Sequence, residues 1–389
     1  MNRGMLNCTH SFPCQADESK AALLERMTSN NTASYKFFWL KALITLIEQG
    51  RAEASFLEAG ALMTAHAWDP VIFFKLSLGA ADKLGRAIRL AQSELRLDDY
   101  TRFEQAAEAI SRGGNEKVAF AAQDLTRYVR RRFLAPCFAE LLQGVSQSRI
   151  DAAISRASLV RPEAGPYWID EKAKAIRLNP DWAAFILGNL PLVKSWLDFK
   201  LARYLQARNP CAPAIVCKLT RPEARNLAEP RKFWIEAIRR GGVREIYSGL
   251  PFTEENFGRY GGLSIDHFVP WRYVLHDEFW NLTPMFKNLN SAKGDRLPDL
   301  DRDLKPLCQQ AFQALRAQKG TSLGNEAMRS FLNIDPEAAS QVEDGGARGE
   351  ACFSESLKRV VVQAYEGAAF QGFSKWMNRP EAAFGDRRP

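Results

Sequence analysis

The sequence predicts a mainly α-helical protein with a small α+β module. Apolar residues recur at helical spacing through long stretches, of which residues 35–49 are the clearest example. Runs with strand character are short and few, at about 167–169, 175–178 and 264–269. We therefore expect helices as the main framework, with small sheets inserted between them.

The composition is that of an ordinary globular protein. Its 389 residues are 46% hydrophobic and 25% charged, enough for two or three domains with their own cores. The seven cysteines are an odd number without a Cys-x-x-Cys pair, so neither a zinc ribbon nor a redox motif is predicted. Because no stretch of about 18 uncharged apolar residues occurs and residues 1–19 lack a signal-type core, we expect a cytoplasmic protein without membrane contact.

Three regions follow from the order of the predicted elements. Residues 1–225 form a helical region, residues 226–310 a mixed region, and residues 311–389 a C-terminal helical region with a flexible tail after Asn378. A strand and turn are expected at 245–249, and a Gly-rich loop at 343–349. Helices are expected at about 35–49, 53–66, 70–80, 82–95, 100–110, 114–143, 146–159, 182–207 (with a bend near Pro191), 231–240, 301–317, 322–333 and 353–376.

The positive charge is concentrated in one part of the chain. The net charge is +8, and residues 101–225 carry 20 lysines and arginines against 12 aspartates and glutamates, so they account for the whole excess. Such a region suits the electrostatic capture of a phosphate backbone. A mildly basic, solvated face is the alternative interpretation.

A run of arginines lies on the helix predicted at 114–143. Arg127, Arg130 and Arg131 are at i, i+3 and i+4 spacing, which places them on one helix face. This face could track a phosphate backbone, and we single out Arg130 and Arg131 as candidate substrate contacts. The alternative is a solvated helix edge whose arginines pair with acidic neighbours.

Residues 265–298 contain three polar positions with convergent chemistry. Asp266-His267 is followed by Asn281 at 281 − 267 = 14 residues and by Asn290 at 290 − 281 = 9 residues. A histidine can activate water near neutral pH, and carboxylate and amide oxygens suit a hard divalent cation. This pattern predicts a metal-assisted phosphodiester nuclease, in which Asn281 fixes the strand to the loop. A lone histidine would more often be structural.

These residues resemble the HNH nucleases, a family with the ββα-metal fold. The variant with asparagine at the third position is familiar from the target-strand-cutting domain of RNA-guided CRISPR nucleases. The resemblance covers roughly residues 240–300. It rests on Asp266-His267-Phe268-Val269-Pro270, Trp280-Asn281-Leu282, and Asn290-Ser291-Ala292-Lys293 running to Leu297-Pro298.

The resemblance implies a role for each position. His267 would be the general base, Asp266 and Asn290 would be metal ligands, and Asn281 would orient the histidine or stabilise the loop. Mg²⁺, or Mn²⁺ in its place, is the implied ion. We add Lys293 as an expected phosphate contact near a helix start.

One departure from many HNH proteins concerns a structural zinc, which two Cys-x-x-Cys pairs bind around the motif. Here residues 246–249 and 288–289 stand in those places. We expect no structural zinc and apolar packing in its place. The residues expected to provide that packing are Tyr247, Phe252, Phe268, Trp271 and Phe286.

Three further polar residues lie inside the segment. His276 and Asp277 are interpreted as a solvated loop, with a substrate contact as the alternative. Asp295 is interpreted as part of an exposed turn, with a place near the metal as the alternative.

The favoured function is a Mg²⁺-dependent endonuclease acting on double-stranded DNA, with residues 1–225 binding nucleic acid or a partner. Segments 35–68 and 200–218 resemble helical regions found with HNH domains in bacterial defence proteins. That resemblance implies a role in bacterial defence, such as restriction or phage defence. A partner protein such as an ATPase is a separate expectation. The alternatives are a nucleic-acid-binding or adaptor protein with an inactive HNH module, and an RNA-cleaving toxin.

Overall fold

Helices make up most of the structure, which confirms the predicted fold class. The computed structural model describes residues 17–29, 32–222 and 225–377, and it is 62% helix and 7% strand. The tail predicted after Asn378 lies outside the described residues. None of the described helices combines the length and the apolarity needed to cross a membrane.

The chain divides into two compact units. Unit 1 consists of Met1–Pro210 and Ile215–Arg221, and unit 2 of Cys211–Ala214 and Pro222–Pro389. The short segment 211–214 therefore belongs with the second unit, although the residues on both sides of it belong to the first.

Unit 1 is a helical assembly with one small sheet. Its described helices are α1 Glu18–Met27, α2 Tyr35–Glu48, α3 Phe56–His66, α4 Leu84–Glu94, α5 Phe103–Ser111, α6 Glu116–Arg132, α7 Ile150–Val160, α8 Pro180–Gly188 and α9 Leu190–Gln206. Its strands are β1 Glu53–Ser55, β2 Tyr167–Asp170 and β3 Ala175–Leu178, which form an antiparallel sheet in the order β1-β3-β2. Single helical turns occur at Asp69–Phe73, Ala135–Phe138, Glu140–Leu142, Pro162–Ala164 and Ile215–Lys218.

The core of unit 1 forms around α2, whose apolar residues are buried around most of the helix circumference. Tyr167 joins this helix to the sheet and to α6. Its hydroxyl accepts a hydrogen bond from Trp39 Nε1 at 2.9 Å and donates one to the carbonyl oxygen of Arg130 at 2.7 Å. Helices α3 and α6 cross closely at Gly60, where a Cβ atom would lie 2.0 Å from the carbonyl oxygen of Ala122. Glycine is therefore required at that crossing.

The start of the helix predicted at 53–66 was wrong because tertiary pairing competes with helix propensity. Its first three residues form β1 and pair with β3. The helix begins at Phe56, where Ser55 and Glu58 close a capping box. The strands predicted at 167–169 and 175–178 are confirmed.

Two predicted helices in unit 1 are shorter than expected. The one predicted at 114–143 ends at Arg132, and Pro136 lies in the 3₁₀ turn that follows, since proline cannot donate the next helical hydrogen bond. The one predicted at 70–80 is a single π-helical turn at Asp69–Phe73.

Unit 2 surrounds a two-stranded sheet with helices. Its described helices are α10 Ala228–Arg239, α11 Glu254–Tyr260, α12 Trp271–Val274, α13 Lys287–Lys293, α14 Leu300–Ala317, α15 Ser322–Leu332, α16 Ala338–Asp344 and α17 Ala347–Phe370, and a 3₁₀ turn lies at Phe279–Asn281. Its strands are β4 Leu263–His267 and β5 Leu282–Phe286. They pair antiparallel, and α13 follows β5 directly, which gives a ββα arrangement.

The C-terminal helices belong to the same core as the sheet. One apolar cluster includes Phe268 beside β4, Leu307 of α14, Phe331 of α15 and Leu357 of α17. The Gly-rich loop predicted at 343–349 was wrong. In its place α16 ends at Gly345 in the left-handed region (φ 62°), and α17 begins two residues later.

Candidate active site

Asp266 and His267 lie at the end of β4, where the strand meets the loops of the site. Their side chains are buried, with 5% and 6% of the residue surface exposed. Pairing with β5 sets Asp266 opposite Thr283 and His267 opposite Leu282. Because neighbouring strand residues point to opposite faces of a sheet, the side chains of Asp266 and His267 leave the strand on different faces.

The ring of His267 is held by a carboxylate. His267 Nε2 lies 2.8 Å from Asp277 Oδ1, and the Asp277 side chain is 28% exposed. An ionised carboxylate can only accept hydrogen bonds, so this contact requires the hydrogen on Nε2. In the neutral ring, Nδ1 then carries the lone pair that can accept a proton.

The loop that carries Asp277 is fastened to α15. Ser330 Oγ accepts a hydrogen bond from the Phe279 backbone N–H at 2.9 Å and donates to the Glu278 carboxylate. His276 packs against the Trp280 ring, with 5.1 Å between ring centroids. The loop is therefore held on both sides of Asp277. The interpretation of Asp277 as a solvated loop residue was wrong, because its carboxylate forms a hydrogen bond with the His267 ring.

Asn281 is fully buried and clamps the chain that follows His267. Its Oδ1 accepts a hydrogen bond from the Val269 N–H at 2.8 Å, and its Nδ2 donates to the Val269 carbonyl at 2.9 Å. Its own carbonyl accepts from the Phe268 N–H at 2.8 Å. Asn281 thus acts on the backbone beside the histidine.

Asp266 forms a buried ion pair with Lys293. The Lys293 ammonium, with no exposed surface, lies 3.2 Å from Oδ1 and 3.1 Å from Oδ2 of Asp266, and it donates to the His267 carbonyl at 2.8 Å. The Tyr247 hydroxyl donates to Asp266 Oδ2 at 3.1 Å. Lys293 was expected to contact a phosphate, but its ammonium faces the carboxylate and the strand end instead of solvent.

Asn290 lies on α13 and contacts the strand beside it. Its Nδ2 donates to Ser264 Oγ at 2.6 Å, which leaves Oδ1 as an acceptor. Asp295, interpreted as part of an exposed turn, pairs instead with the buried guanidinium of Arg272 at 2.9 Å.

Aromatic side chains pack against one another around the two-stranded sheet of unit 2. Phe252 and Phe286 pack at 5.1 Å between ring centroids, and Tyr247 stacks parallel to Phe268 at 6.5 Å. This packing was predicted for these four residues. Trp271 was also expected in this packing, but its ring lies under the Arg225 guanidinium, 4.5 Å from the ring centroid.

Glu245 orders the turn that begins this region. It is fully buried, and its carboxylate accepts hydrogen bonds from the N–H groups of Tyr247 (3.2 Å) and Ser248 (2.6 Å) and from the Ser248 hydroxyl (2.5 Å). Burial, opposed by these hydrogen bonds and assisted by the negative charge of Asp266, raises the pKa of Glu245 to about 7. The sequence offered no signal for this residue beyond its type.

Arg130 and Arg131 lie in unit 1 and are engaged with an acidic neighbour. Both guanidinium groups pair with Glu171, at 3.4 Å and 2.5 Å. Arg130 is also buried, with its guanidinium 3.9 Å from the Phe56 ring centroid. The neighbouring Arg127 has no ion pair in the part of the chain that the structure describes.

Asp266 and Asn290 carry oxygen donors of the kind that suits a hard divalent ion with a small share of protein ligands. No group of three or more His, Cys, Asp or Glu side chains suited to a metal occurs among residues 17–29, 32–222 and 225–377. The oxygens of Asp266 and Asn290 are the available donors, and Mg²⁺ commonly takes one or two carboxylates with water completing its shell. Lys293 and Tyr247 already donate hydrogen bonds to the Asp266 carboxylate oxygens. An ion would therefore bind through the lone pairs of these oxygens that accept no hydrogen bond.

The site therefore combines a histidine–carboxylate pair, a neighbouring buried carboxylate and a ββα framework. Residues 245–299 match the family model described as HNH endonuclease. The chain therefore carries an HNH endonuclease domain in its C-terminal half. Neither the curated proteins nor the solved structures contain a match to this chain.

Proposed function

We propose that this protein is a metal-dependent endonuclease that hydrolyses phosphodiester bonds in double-stranded DNA, with His267 as general base. The contact between His267 and Asp277 carries this proposal, because it leaves one ring nitrogen free to accept a proton. The HNH match over residues 245–299 supports the same chemistry.

In this mechanism His267 Nδ1 takes a proton from the attacking water. Asp277 keeps the ring in the productive tautomer and stabilises the positive charge that the ring then carries. Asn281 keeps the backbone beside the histidine in one conformation through its two bonds to Val269.

Asp266 and Asn290 would hold Mg²⁺ or Mn²⁺. When bound there, the ion offsets charge on the phosphate oxygens and on the departing oxygen. We assign Lys293 to holding the Asp266 carboxylate in place, in preference to the phosphate contact expected from the sequence.

The remaining assignments follow from the distribution of charge. We propose that the region 1–225 captures substrate or a partner, because it contains the basic excess of residues 101–225. Arg130 and Arg131 stay candidate contacts there, provided that a phosphate competes with Glu171. A cytoplasmic role in restriction or phage defence, with a partner such as an ATPase, also remains part of the proposal.

Cleavage of plasmid DNA with Mg²⁺ tests the proposal directly. His267→Ala is expected to lower the cleavage rate by about 100-fold or more, the usual size of a general-base contribution. Removal of the metal with EDTA should also stop cleavage. Thermal unfolding of each protein serves as the control for folding.

The alternatives predict different outcomes. Equal cleavage by wild type and His267→Ala would remove His267 from the mechanism. Salt-dependent binding without cleavage under any divalent ion would favour an adaptor with an inactive module. Cleavage of RNA but not of DNA would favour the RNA-cleaving alternative.

A further inference from the structure

The outer face of α6 in unit 1 carries two exposed aromatic rings and an arginine. Phe120 is 73% exposed and Tyr128 is 57% exposed. The Arg127 guanidinium lies over the Tyr128 ring, 5.5 Å from its centroid. Exposed aromatic rings beside a guanidinium offer the stacking and charge contacts that a nucleic acid can use.

A groove runs along this face, and we call it the α6 groove. Its volume is about 300 Å³, enough for a nucleobase or a few phosphates. The residues that line it are Phe120, Gln123, Asp124, Arg127, Arg130 and Arg131.

The charge of the α6 groove favours an anionic occupant. It is lined by three guanidinium groups and one carboxylate, that of Asp124. Glu171 pairs with Arg130 and Arg131, whereas Arg127 has no ion pair within the described residues. Arg127 can therefore bind a phosphate without first breaking an ion pair, although its guanidinium lies over the Tyr128 ring.

The aromatic rings favour a particular form of nucleic acid. Phe120 and Tyr128 are eight residues apart, so they lie about 12 Å apart along the helix axis, a distance that covers several nucleotides. Aromatic side chains bind single strands because the faces of unpaired bases are free to stack on them. In a duplex those faces are covered by neighbouring bases, and exposed rings would gain little.

We propose that the α6 groove binds a single-stranded segment of nucleic acid, with one base stacked on Phe120 in the groove, a phosphate on Arg127, and a further base on Tyr128, which lies beside the groove next to Arg127. This inference rests on the proposed nuclease function and narrows its substrate from double-stranded DNA in general to double-stranded DNA that contains an unpaired segment.

Binding can be measured on the full chain without cleavage, with the His267→Ala background in EDTA. The probes are a fluorescent single strand of about 20 nucleotides, longer than usual single-strand site sizes, and the duplex of the same sequence. Fluorescence anisotropy should show tighter binding of the single strand. Phe120→Ala and Tyr128→Ala should each weaken that binding by about fivefold or more, while duplex binding stays unchanged.

A salt series tests the arginine separately. Arg127→Ala should reduce the slope of log affinity against log salt concentration by about 0.7, the value for one phosphate contact on a single strand. The matched controls are Phe370→Ala, an equally exposed ring in unit 2, and Arg112→Ala, an exposed arginine of unit 1. Both controls should bind the single strand like the parent protein.

The inference is overturned if the single strand binds no better than the duplex, if neither binds, or if the aromatic variants behave like Phe370→Ala. Each of these three outcomes can be distinguished from a failure of the proposed nuclease function. If the wild-type protein cleaves plasmid DNA but the α6 variants bind the single strand like the parent protein, the α6 inference alone is contradicted. If the α6 variants lose single-strand binding but the wild-type protein cleaves no nucleic acid, the nuclease proposal alone is contradicted.

Discussion

His267 contacts a residue, Asp277, whose role beside the histidine was not predicted from the sequence. Asp277 lies ten residues further along the chain, in a loop whose polar composition is equally typical of a solvated turn. The contact forms because β4 ends at His267 while the loop returns towards β5 and is held on α15. At the residue scale, the proposed chemistry therefore rests on a pair of side chains rather than on the histidine alone.

Replacement of Asp277 should impair the chemical step more than substrate binding. Asp277→Asn keeps the size of the side chain but removes the charge that stabilises the protonated ring, so kcat should fall roughly 10- to 100-fold with little change in KM. Direct observation of the ring by ¹⁵N NMR of the metal-free protein should show loss of the single Nε2–H tautomer.

The control for that experiment is Asp301→Asn, which changes an exposed carboxylate on α14. Partial recovery of kcat in Asp277→Glu is expected, because that variant keeps the charge. A tautomer and a kcat that do not change in Asp277→Asn would show that the contact is incidental.

Glu245 predicts a pH dependence of stability. Its pKa in the folded protein is about 7, above the ordinary value of 4.5, mainly because of burial. The folded state thus binds the proton more tightly, and the resulting stabilisation is complete below about pH 4.5 and is lost as the pH rises through 7. The loss amounts to about 3 kcal/mol of unfolding free energy.

Urea denaturation of wild type and Glu245→Gln between pH 4.5 and pH 8 measures this contribution. Glutamine cannot titrate, so the unfolding free energy of the wild type should fall relative to that of the variant by about 3 kcal/mol across the range. Parallel stability curves for the two proteins would contradict the assignment.

At the scale of secondary-structure elements, helix α15 supports the candidate active site, although the site residues themselves lie on other strands, loops and helices. The HNH match ends at residue 299, yet Ser330 of α15 holds the loop that contains Asp277. The C-terminal helices share the core of the sheet, so they support the site as well as the fold.

Ser330→Ala should loosen this loop. The variant removes one hydrogen bond to the Phe279 N–H and one to the Glu278 carboxylate, at a cost of about 1–2 kcal/mol. Amide hydrogen exchange at residues 276–281 should accelerate by roughly 5- to 30-fold, and kcat should decrease.

Ser340→Ala on α16 is the matched control, since that hydroxyl bonds only to Glu337 in the described residues and is exposed. Unaltered exchange in the 276–281 loop of Ser330→Ala would mean that other contacts hold the loop.

At the scale of the whole molecule, we propose that unit 1 captures the substrate and that unit 2 cleaves it. The basic excess lies in residues 101–225, whereas residues 226–389 carry 22 basic and 22 acidic residues, a net of zero. Such a division lets mutations in one unit change affinity without changing chemistry.

Kinetics on a substrate with an unpaired segment should separate the two functions. Arg127→Ala should raise KM about fivefold, the effect of one lost contact, with kcat unchanged. His267→Ala should lose kcat and retain affinity, and the free-energy effects of the two changes should add. A fall in kcat with unchanged KM in Arg127→Ala would contradict this division.

The parts of the fold that the sequence predicted are those set by local pattern. The C-terminal helices at 300–317 and 322–332 were placed within two residues, because apolar periodicity and capping residues lie within the helix itself. The start of α3 was misplaced because Glu53–Ser55 pair with a strand about 120 residues away. No local pattern contains that partner.

The sequence by itself determined the helical framework and the three polar positions at Asp266-His267, Asn281 and Asn290. Residue type and spacing suffice for those, because each has a distinctive chemistry. Tertiary structure alone decided which groups these residues contact: Asp277 for the histidine, and Lys293, 27 residues away, for Asp266. Such contacts depend on how strands, loops and helices pack, and packing joins residues whose separation carries no periodic signal.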